Sequence, residues 1–129
     1  MKTQYLVALS VAAGVVIGGA AVQTLHAQAK APGFIVAEID VSNAEGYSKE
    51  FLPKAGPALE AGGAKFLVRG GKNEAIDGAP PPKRVIISQF ESMEKAIAAY
   101  KSPAYMDARK IGDKYAKFRI FAVEGVAAK

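Results

Sequence analysis

The sequence predicts an α+β fold in which four strands and two helical regions follow one another in the order βαββαβ. Four stretches have the alternation or the β-branched composition of strands, and residues at helical spacing separate the first from the second and the third from the fourth. Glycine pairs and serines at capping positions mark the ends of these elements. This order favours an antiparallel four-stranded sheet with both helical regions on one face.

The first strand is predicted over Gly33–Val41, where the side chains point alternately to the two faces of a sheet. One of these faces is apolar throughout. The other face becomes acidic toward the end of the strand, at Glu38 and Asp40. We therefore expect the first face to pack on the core and the second to be less deeply buried.

A helix is predicted directly after this strand. Ser42 and Glu45 have the spacing of a capping box, so we expect the helix to begin at Ser42. Pro53 and Pro57 cannot both lie deep inside one straight helix without loss of backbone hydrogen bonds. We therefore expect a kink or two consecutive helices, the second near residues 54–61, and a Gly-Gly pair then ends this helical region.

Two strands flank a long loop in the middle of the chain. The second strand is predicted over Lys65–Arg69, and the Gly-Gly pair that follows it allows a bulge or a sharp turn. Three consecutive prolines at 80–82 have no amide donors, which places this stretch in a loop. The third strand is predicted over residues 83–90, the most β-branched stretch in the chain.

The second helical region is predicted to be interrupted. Ser92 caps a helix over residues 93–101, and Ser102 with Pro103 then restarts the helix, with Ser as the N-cap and Pro at the first helical position. The apolar stripe expected in the core comprises Met93, Ile97 and Tyr100. A last strand over residues 117–124 completes a ferredoxin-like fold, in which two sheets packed face to face in a dimer would cover the face that the helices leave open.

The first 29 residues have the features of a secretory signal peptide. Lys2 precedes an apolar run over residues 5–22, and a small-x-small site at 27–29 follows it. Cleavage is expected before Lys30, and cleavage after Ala27 is an alternative. We therefore expect a periplasmic or secreted bacterial domain over residues 30–129, with no stable membrane association after cleavage. An uncleaved membrane anchor is the competing interpretation, because the run is near the length that spans a bilayer.

Composition excludes several classes of chemistry. The chain has no Cys and no Trp, and its one histidine, His26, lies in the predicted signal peptide. Residues 30–129 therefore have no means of forming a Ser-His-Asp triad, a Cys-His pair or a His-ligated metal site, and we expect neither metal nor cofactor. They hold 16 of the 17 Lys and Arg and all 12 Asp and Glu, interspersed by sign, which argues against binding of nucleic acid.

Charged residues on predicted strands are the first candidates for a site. Glu38 and Arg69 are the candidate catalytic residues, since a carboxylate that faces an arginine stays ionised and can anchor a substrate or act as a weak base. Arg69 together with Arg84 or Arg119 has the guanidinium geometry that binds carboxylates. The alternative is structural: a salt bridge for Glu38, and arginines that cover sheet edges or bridge a dimer.

Polar groups near the third strand are the remaining candidates for ligand binding. Ser88 and Gln89 fall on opposite faces of this strand, and the sequence does not decide which one faces a cleft. Tyr100 and Tyr105 flank the Ser-Pro restart, and their hydroxyls can donate hydrogen bonds to a ligand. Alternatively, these tyrosines are core residues with only the hydroxyl in contact with water, and the same two interpretations apply to Tyr47.

Several motifs that stand in order along residues 32–126 carry a family resemblance. They are Gly-Phe-Ile-Val-Ala-Glu at 33–38, Leu-Val-Arg-Gly-Gly at 67–71, Pro-Pro-Lys-Arg-Val at 81–85 and Ser-Pro-Ala-Tyr at 102–105. Together they resemble the domain of unknown function family 1330, a branch of the dimeric α+β barrel superfamily. The resemblance implies a homodimer. Where that family usually has Glu before the Phe that closes the third strand, this chain has Gln89.

The superfamily that this resemblance points to includes cofactor-independent monooxygenases, lactone isomerases and haem-degrading proteins, and a likeness of fold alone does not transfer these functions. Two hypotheses stand. In the first, an exported dimer binds a small organic, carboxylate-bearing molecule in a cleft and acts on it without a cofactor. In the second, the domain is a non-catalytic dimeric module whose charges serve packing and solubility.

Overall fold

The computed structural model describes residues 30–128. Its elements are β1 (Gly33–Val41), a continuous helical segment α1 formed by Ala44–Gly46, Tyr47–Phe51 and Leu52–Ala61, β2 (Lys65–Arg69), β3 (Arg84–Phe90), α2 (Met93–Tyr100), α3 (Pro103–Gly112) and β4 (Ala116–Glu124). The predicted signal peptide, residues 1–29, lies outside the described residues, so its cleavage stays a prediction. In the part of the chain that is described, no helix has the length and apolar character needed to cross a membrane.

The four strands form one antiparallel sheet in the order β2-β3-β1-β4. The central strand β1 pairs with β3 from Gly33↔Phe90 onward and with β4 over its full length. This is the strand order of the ferredoxin-like βαββαβ fold, in which the two crossovers place the helices on one face. The predicted fold class is confirmed, and the observed strand bounds differ from the predicted ones by at most one residue.

The two faces of the sheet have different surroundings. On the face toward the helices, Ile35, Ala37 and Ile39 of β1 are buried and belong to the core. The opposite face, which we call the open face, is not covered by any element of residues 30–128. Phe121 and Val123 of β4 lie there with 38% and 43% of their surface exposed.

The start of α1 differs from the prediction. Asn43, not Ser42, is the N-cap, and its side-chain Oδ1 accepts a hydrogen bond of 3.0 Å from the backbone N–H of Gly46. The Ser42 hydroxyl instead donates to the backbone carbonyl of Tyr115, at 2.9 Å, and so ties the end of β1 to the start of β4. The capping-box interpretation was wrong because both neighbours are good capping residues and a tertiary contact decides between them.

A π-helical turn, Tyr47–Phe51, interrupts α1. The backbone N–H of Leu52 bonds to the carbonyl of Tyr47, five residues back, instead of the usual four. Pro53 follows directly and has no N–H to donate, which is the physical reason for irregular backbone at this point. The predicted interruption is therefore present, although the helix resumes at Leu52, two residues earlier than expected.

The buried face of α2 is also shifted relative to the prediction. Ala96 and Ala99 are its most buried residues, whereas Met93, Ile97 and Tyr100 are only half-buried. The reason is a close approach of the helix to the sheet, since a Cβ on Gly33 would lie 2.5 Å from the Met93 backbone. Small side chains fit at such a contact, and the larger residues lie at its flanks.

The N-cap of α1 yields a test of this fold. We expect Asn43→Ala to lower the free energy of unfolding by about 1 kcal/mol, because the Gly46 amide loses its side-chain acceptor. Asn43→Asp retains an acceptor and should stay near wild type. Urea unfolding followed by circular dichroism measures both; equal stability of Asn43→Ala and wild type would contradict the assigned cap.

Candidate functional site

A cavity of about 400 Å³ lies between α1 and the helix-facing side of the sheet. Apolar side chains of both elements form most of its wall, including Ile39 and Ile86 of the sheet and Phe51 and Leu59 of α1. Its polar lining comes from Arg69, Arg84, Tyr100 and Tyr105. Ligand pockets in proteins have this volume, this largely apolar lining and a small number of polar groups.

Arg69 lies at the rim of the cavity. Its guanidinium is about half exposed and lies 3.6 Å from the carboxylate of Glu60, measured from Nη2 to Oε1. The same group stacks on the Phe66 ring at 4.2 Å from the ring centroid. An exposed ion pair of this length contributes little stability, so Glu60 leaves the cation largely available to an incoming anion.

A β-bulge turns Arg69 toward the cavity. The β2–β3 register shifts between Phe66 and Val68, so that Arg69 pairs with Ile86, which faces the helices. Without the extra residue, simple alternation from Phe66 would point Arg69 to the open face. The bulge therefore brings this arginine into the cavity.

Arg84 lies deeper, and a glycine shapes its position. Gly70 has a φ of 70°, and a Cβ added to it would lie 2.2 Å from Nη1 of Arg84 and 2.4 Å from Cζ. The Gly70 amide donates to the carbonyl of Val85 at 2.8 Å, which fixes the turn beside the guanidinium. On its other side Arg84 approaches the Tyr47 ring, 5.5 Å from the centroid.

Three buried polar side-chain atoms have no hydrogen-bond partner within residues 30–128, and of their residues only Arg84 lines the cavity. The three atoms are Tyr47 Oη, Arg84 Nε and Ser88 Oγ. Tyr47 is 2% exposed and Ser88 is fully buried. An unpaired buried polar group costs about 1–3 kcal/mol, so such groups are few in native proteins and call for an explanation.

Burial keeps the phenols of the site protonated. Tyr100 and Tyr105 stack with ring centroids 4.8 Å apart. Burial raises the pKa of both phenols, and it raises the pKa of Tyr47 as well, although the Arg84 guanidinium opposes the last shift. At neutral pH the three hydroxyls are therefore neutral and able to donate hydrogen bonds.

The cavity lining provides donors and cations, and no carboxylate that would accept a proton is among its residues. The acidic group Glu60 is at the rim as the partner of Arg69. Within residues 30–128, no three His, Cys, Asp or Glu side chains lie close enough together to hold a metal ion. This arrangement suits the binding of an anionic or oxygen-rich organic molecule with an apolar body.

The structure separates the candidate residues into two groups. Arg69, Arg84, Tyr100 and Tyr105 meet in the cavity, whereas Glu38 and Gln89 lie on the open face. The pairing of Glu38 with Arg69 is not found, since Glu38 accepts a 3.0 Å hydrogen bond from Arg119 instead. These two residues lie directly opposite each other in the β1–β4 register, which no local pattern in the sequence shows.

Neither Ser88 nor Gln89 lines the cavity, and the two lie on opposite faces of β3. Ser88 shares its face with Ile86 and Phe90, which are in the core, and Gln89 points to the open face. The large apolar Phe90 was a usable signal for this, since residues two apart on a strand share a face. Tyr47 had the same two interpretations as Tyr100 and Tyr105, and the structure buries it in the core. The π-helical turn that contains it was not foreseen.

An antiparallel ferredoxin-like sheet with its helices on one face defines a small α+β domain. The chain belongs to the family described as Domain of unknown function (DUF1330), whose model matches residues 32–126. The resemblance inferred from the motifs is thereby confirmed. No curated protein matches the chain.

Solved structures of similar fold include two informative neighbours. A protein of unknown function from Rhodopseudomonas palustris is 17% identical, with a TM-score of 0.62 over 77% of this chain and 85% of its own. SnoaB, a cofactor-independent oxygenase from Streptomyces nogalater, is 8% identical, with a TM-score of 0.51 over 77% of this chain and 94% of its own. At these identities the likeness concerns the fold alone.

The contact between Gly70 and Arg84 yields a matched pair of variants. Gly70→Ala should lower the free energy of unfolding by about 1–2 kcal/mol, because Ala is strained at positive φ and its Cβ collides with the guanidinium. Gly71→Ala should change it by less than about 0.5 kcal/mol, since nothing lies within 4 Å of its added Cβ. Urea unfolding measures the stability, and the Nε–H resonance of Arg84 should shift only in Gly70→Ala. If the Arg84 resonance did not shift in Gly70→Ala, Gly70 would not determine the position of the Arg84 guanidinium.

The buried phenol of Tyr105 yields a pH prediction. Because burial raises its pKa above the ordinary value of about 10, its neutral form stabilises the fold fully below that pH. Above pH 10 the Tyr105 hydroxyl loses its proton in the unfolded chain before it does so in the folded one. The free energy of unfolding therefore falls by about 1.4 kcal/mol per pH unit because of this group. Tyr105→Phe should therefore show a shallower loss between pH 10 and 11 in urea unfolding. If the free energy of unfolding of Tyr105→Phe and of wild type fell equally over this pH range, Tyr105 would not be a buried, neutral phenol.

Proposed function

We propose that this protein is an exported, homodimeric binding protein that takes up a small organic acid with an apolar body. The observation that carries the proposal is the pair of arginines, Arg69 and Arg84, that line an apolar cavity whose lining offers no carboxylate. A ligand carboxylate is an acceptor that both cations can bind. Arginine presents its donors as a planar fork that matches the two oxygens of a carboxylate.

The carboxylate end of the ligand is assigned to Arg84 and Arg69, the two cations of the cavity lining. Arg84 approaches Tyr47, and Arg69 comes from the adjacent strand. The apolar body of the ligand packs between Ile86 and Phe51, on the sheet and helix sides of the cavity. An aromatic or alicyclic ring suits this flat space between a helix and a sheet.

Binding without catalysis is the activity that this geometry supports best. The two residues first considered for catalysis, Glu38 and Arg69, lie on opposite faces of the sheet. The phenols that line the cavity have raised pKa values and are poor bases at neutral pH. The oxygenase activity of the Streptomyces nogalater neighbour shares only a fold with this chain, so it does not define a second candidate function.

The homodimer is proposed from the open face. Apolar residues from three strands alternate there, and the exposed Phe121 and Val123 continue this surface at the edge. The Glu38–Arg119 ion pair lies within it and gives the surface a polar, directional element. Face-to-face packing of two such sheets covers this surface and helps a small domain bury enough area for stability.

Export is proposed from the signal-peptide features of residues 1–29. One measurement addresses export, assembly and ligand together. Native mass spectrometry of the protein secreted by a bacterial host should show a dimer of chains that begin near Lys30. A small additional mass would be the bound acid. A full-length chain found only in detergent would overturn export in favour of a membrane tether, and a monomer would overturn the dimer.

The ligand class is tested with the purified protein and a panel of aromatic and alicyclic carboxylates, each paired with its uncharged amide. Isothermal titration calorimetry should detect the acids and not the amides. Arg84→Gln should lower the affinity for the acids by roughly 10- to 100-fold, as expected for loss of a charged hydrogen-bonding partner. Lys114→Gln removes the same charge from an exposed position and should leave affinity unchanged.

Two results would contradict this function. Equal affinities for acids and amides would show that Arg84 does not recognise a carboxylate. An Arg84→Gln variant that folds normally and binds the acids as well as wild type would remove the arginine from the site, and another function would have to explain its unpaired donor.

A further inference from the structure

A second cavity, of about 210 Å³, lies near the edge strand β4 on the helix-facing side of the sheet. Its lining comes from β1, β4, α2 and α3 and is largely apolar, with Ile35, Ile97 and Ile120 among its residues. We call it the edge cavity, and we call the cavity of about 400 Å³ between α1 and the sheet the main cavity. The edge cavity is smaller than the roughly 300–1,000 Å³ usual for ligand pockets, so it does not define a separate site.

Two tyrosines line both cavities. Tyr100 and Tyr105 are the residues that the two linings have in common. The strand order β2-β3-β1-β4 explains this position, since the main cavity has lining residues from β2, β3 and β1, and the edge cavity has lining residues from β1 and β4. The boundary between the two cavities therefore lies above β1, and the two phenol rings occupy it.

The break between α2 and α3 sets these two rings against each other. Tyr100 is the last residue of α2, and Tyr105 is the third residue of α3. The Ser102 hydroxyl accepts a hydrogen bond of 3.3 Å from the Tyr105 N–H and donates one of 2.7 Å to the carbonyl of Ala99. The ring centroids of the two tyrosines are 4.8 Å apart, and Tyr100 also meets the buried Phe90 edge-on at 6.2 Å. These contacts hold the ring pair in place as a wall.

The wall lies at the end of the main cavity that is distant from the cations. Arg84 is the first residue of β3, whereas Tyr100 packs against Phe90, the last residue of the same strand. The Cα atoms of a strand of this length span about 20 Å from end to end. Ile86 lies between the two ends and lines the main cavity. An acid whose carboxylate binds Arg84 therefore extends its apolar body along β3 toward the ring pair.

We propose that the Tyr100–Tyr105 ring pair limits the length of the acid that the main cavity binds, because it closes the edge cavity to the ligand. This inference rests on the proposed function and narrows its ligand class. Acids with a compact body that ends at the rings are bound, and acids with a long alkyl tail are excluded.

The edge cavity provides a direct way to test this wall. Beyond the rings, Ile97, Ile120 and Ala122 line a space that suits an alkyl tail. Because each ring is part of both linings, the removal of one ring joins the two spaces. A variant without the Tyr100 ring should therefore accept longer acids than wild type does.

The experiment measures, by calorimetry, the affinities of 4-alkylbenzoates from 4-methyl to 4-octyl for the full chain expressed with its own N-terminal segment. A methylene group that leaves water for an apolar surface raises the affinity by roughly 4-fold. In wild type this gain should stop where the tail reaches the rings. In Tyr100→Ala it should continue for about two or more further methylenes, so that the longest acids bind at least about 10-fold more tightly than to wild type.

Two control variants separate the wall from a general effect on the fold. Tyr100→Phe keeps the ring without its hydroxyl and should show the length limit of wild type. Met106 is half-exposed and lines the edge cavity but not the main cavity, so Met106→Trp fills the edge cavity from its rim. Combined with Tyr100→Ala, it should restore the limit. If circular dichroism shows that Tyr100→Ala is unfolded, Tyr100→Leu, which removes the ring and retains more apolar contact, takes its place.

The outcomes distinguish this inference from the function on which it rests. If wild type gains affinity with every methylene up to 4-octyl, or if the folded variants without the Tyr100 ring keep the limit of wild type, the wall is wrong while acid binding stands. If neither a benzoate nor any other carboxylate of the panel binds wild type, the proposed function itself fails and the inference with it. A limit that moves in Tyr100→Ala and returns on addition of Met106→Trp establishes the wall.

Discussion

The pairing of β1 with β3 on one side and β4 on the other is the constraint on which the rest of the structure depends. Because side chains alternate with a period of two, this register decides for each strand residue whether it faces the helices or the open face. A slip by one residue would bring Ile35, Ala37 and Ile39 out of the core and Glu38 into it. The cavity, the Glu38–Arg119 pair and the buried Ser88 are all consequences of this one alignment.

Local patterns were sufficient for the elements and insufficient for the contacts between them. The alternation in β1 and the capping serines Ser92 and Ser102 predicted those elements correctly, since each is a property of neighbouring residues. The partner of Glu38 depends on the strand register, and the direction of Arg69 depends on a single extra residue in β2. Neither leaves a trace in periodicity, so the cavity could be predicted only as a cleft of unknown lining.

The cavity is a costly feature for so small a domain. Unpaired polar groups at Tyr47, Arg84 and Ser88 each oppose folding by about 1–3 kcal/mol, against a total stability of about 5–15 kcal/mol typical of domains. Apolar side chains at these positions would give a more stable protein. The physical argument for a ligand is narrower: two cations, Arg69 and Arg84, line a largely apolar cavity that offers them no carboxylate.

The bulge in β2 has a second consequence, which concerns how copies of the sheet associate. β2 is an edge strand, and a straight edge offers unpaired amide and carbonyl groups on which another strand can add. The bulge, the shortness of Lys65–Arg69 and the charges at both of its ends make this edge a poor template. Lateral growth of the sheet by strand addition is thereby disfavoured at β2, so this edge does not compete with the face-to-face pairing of the proposed homodimer.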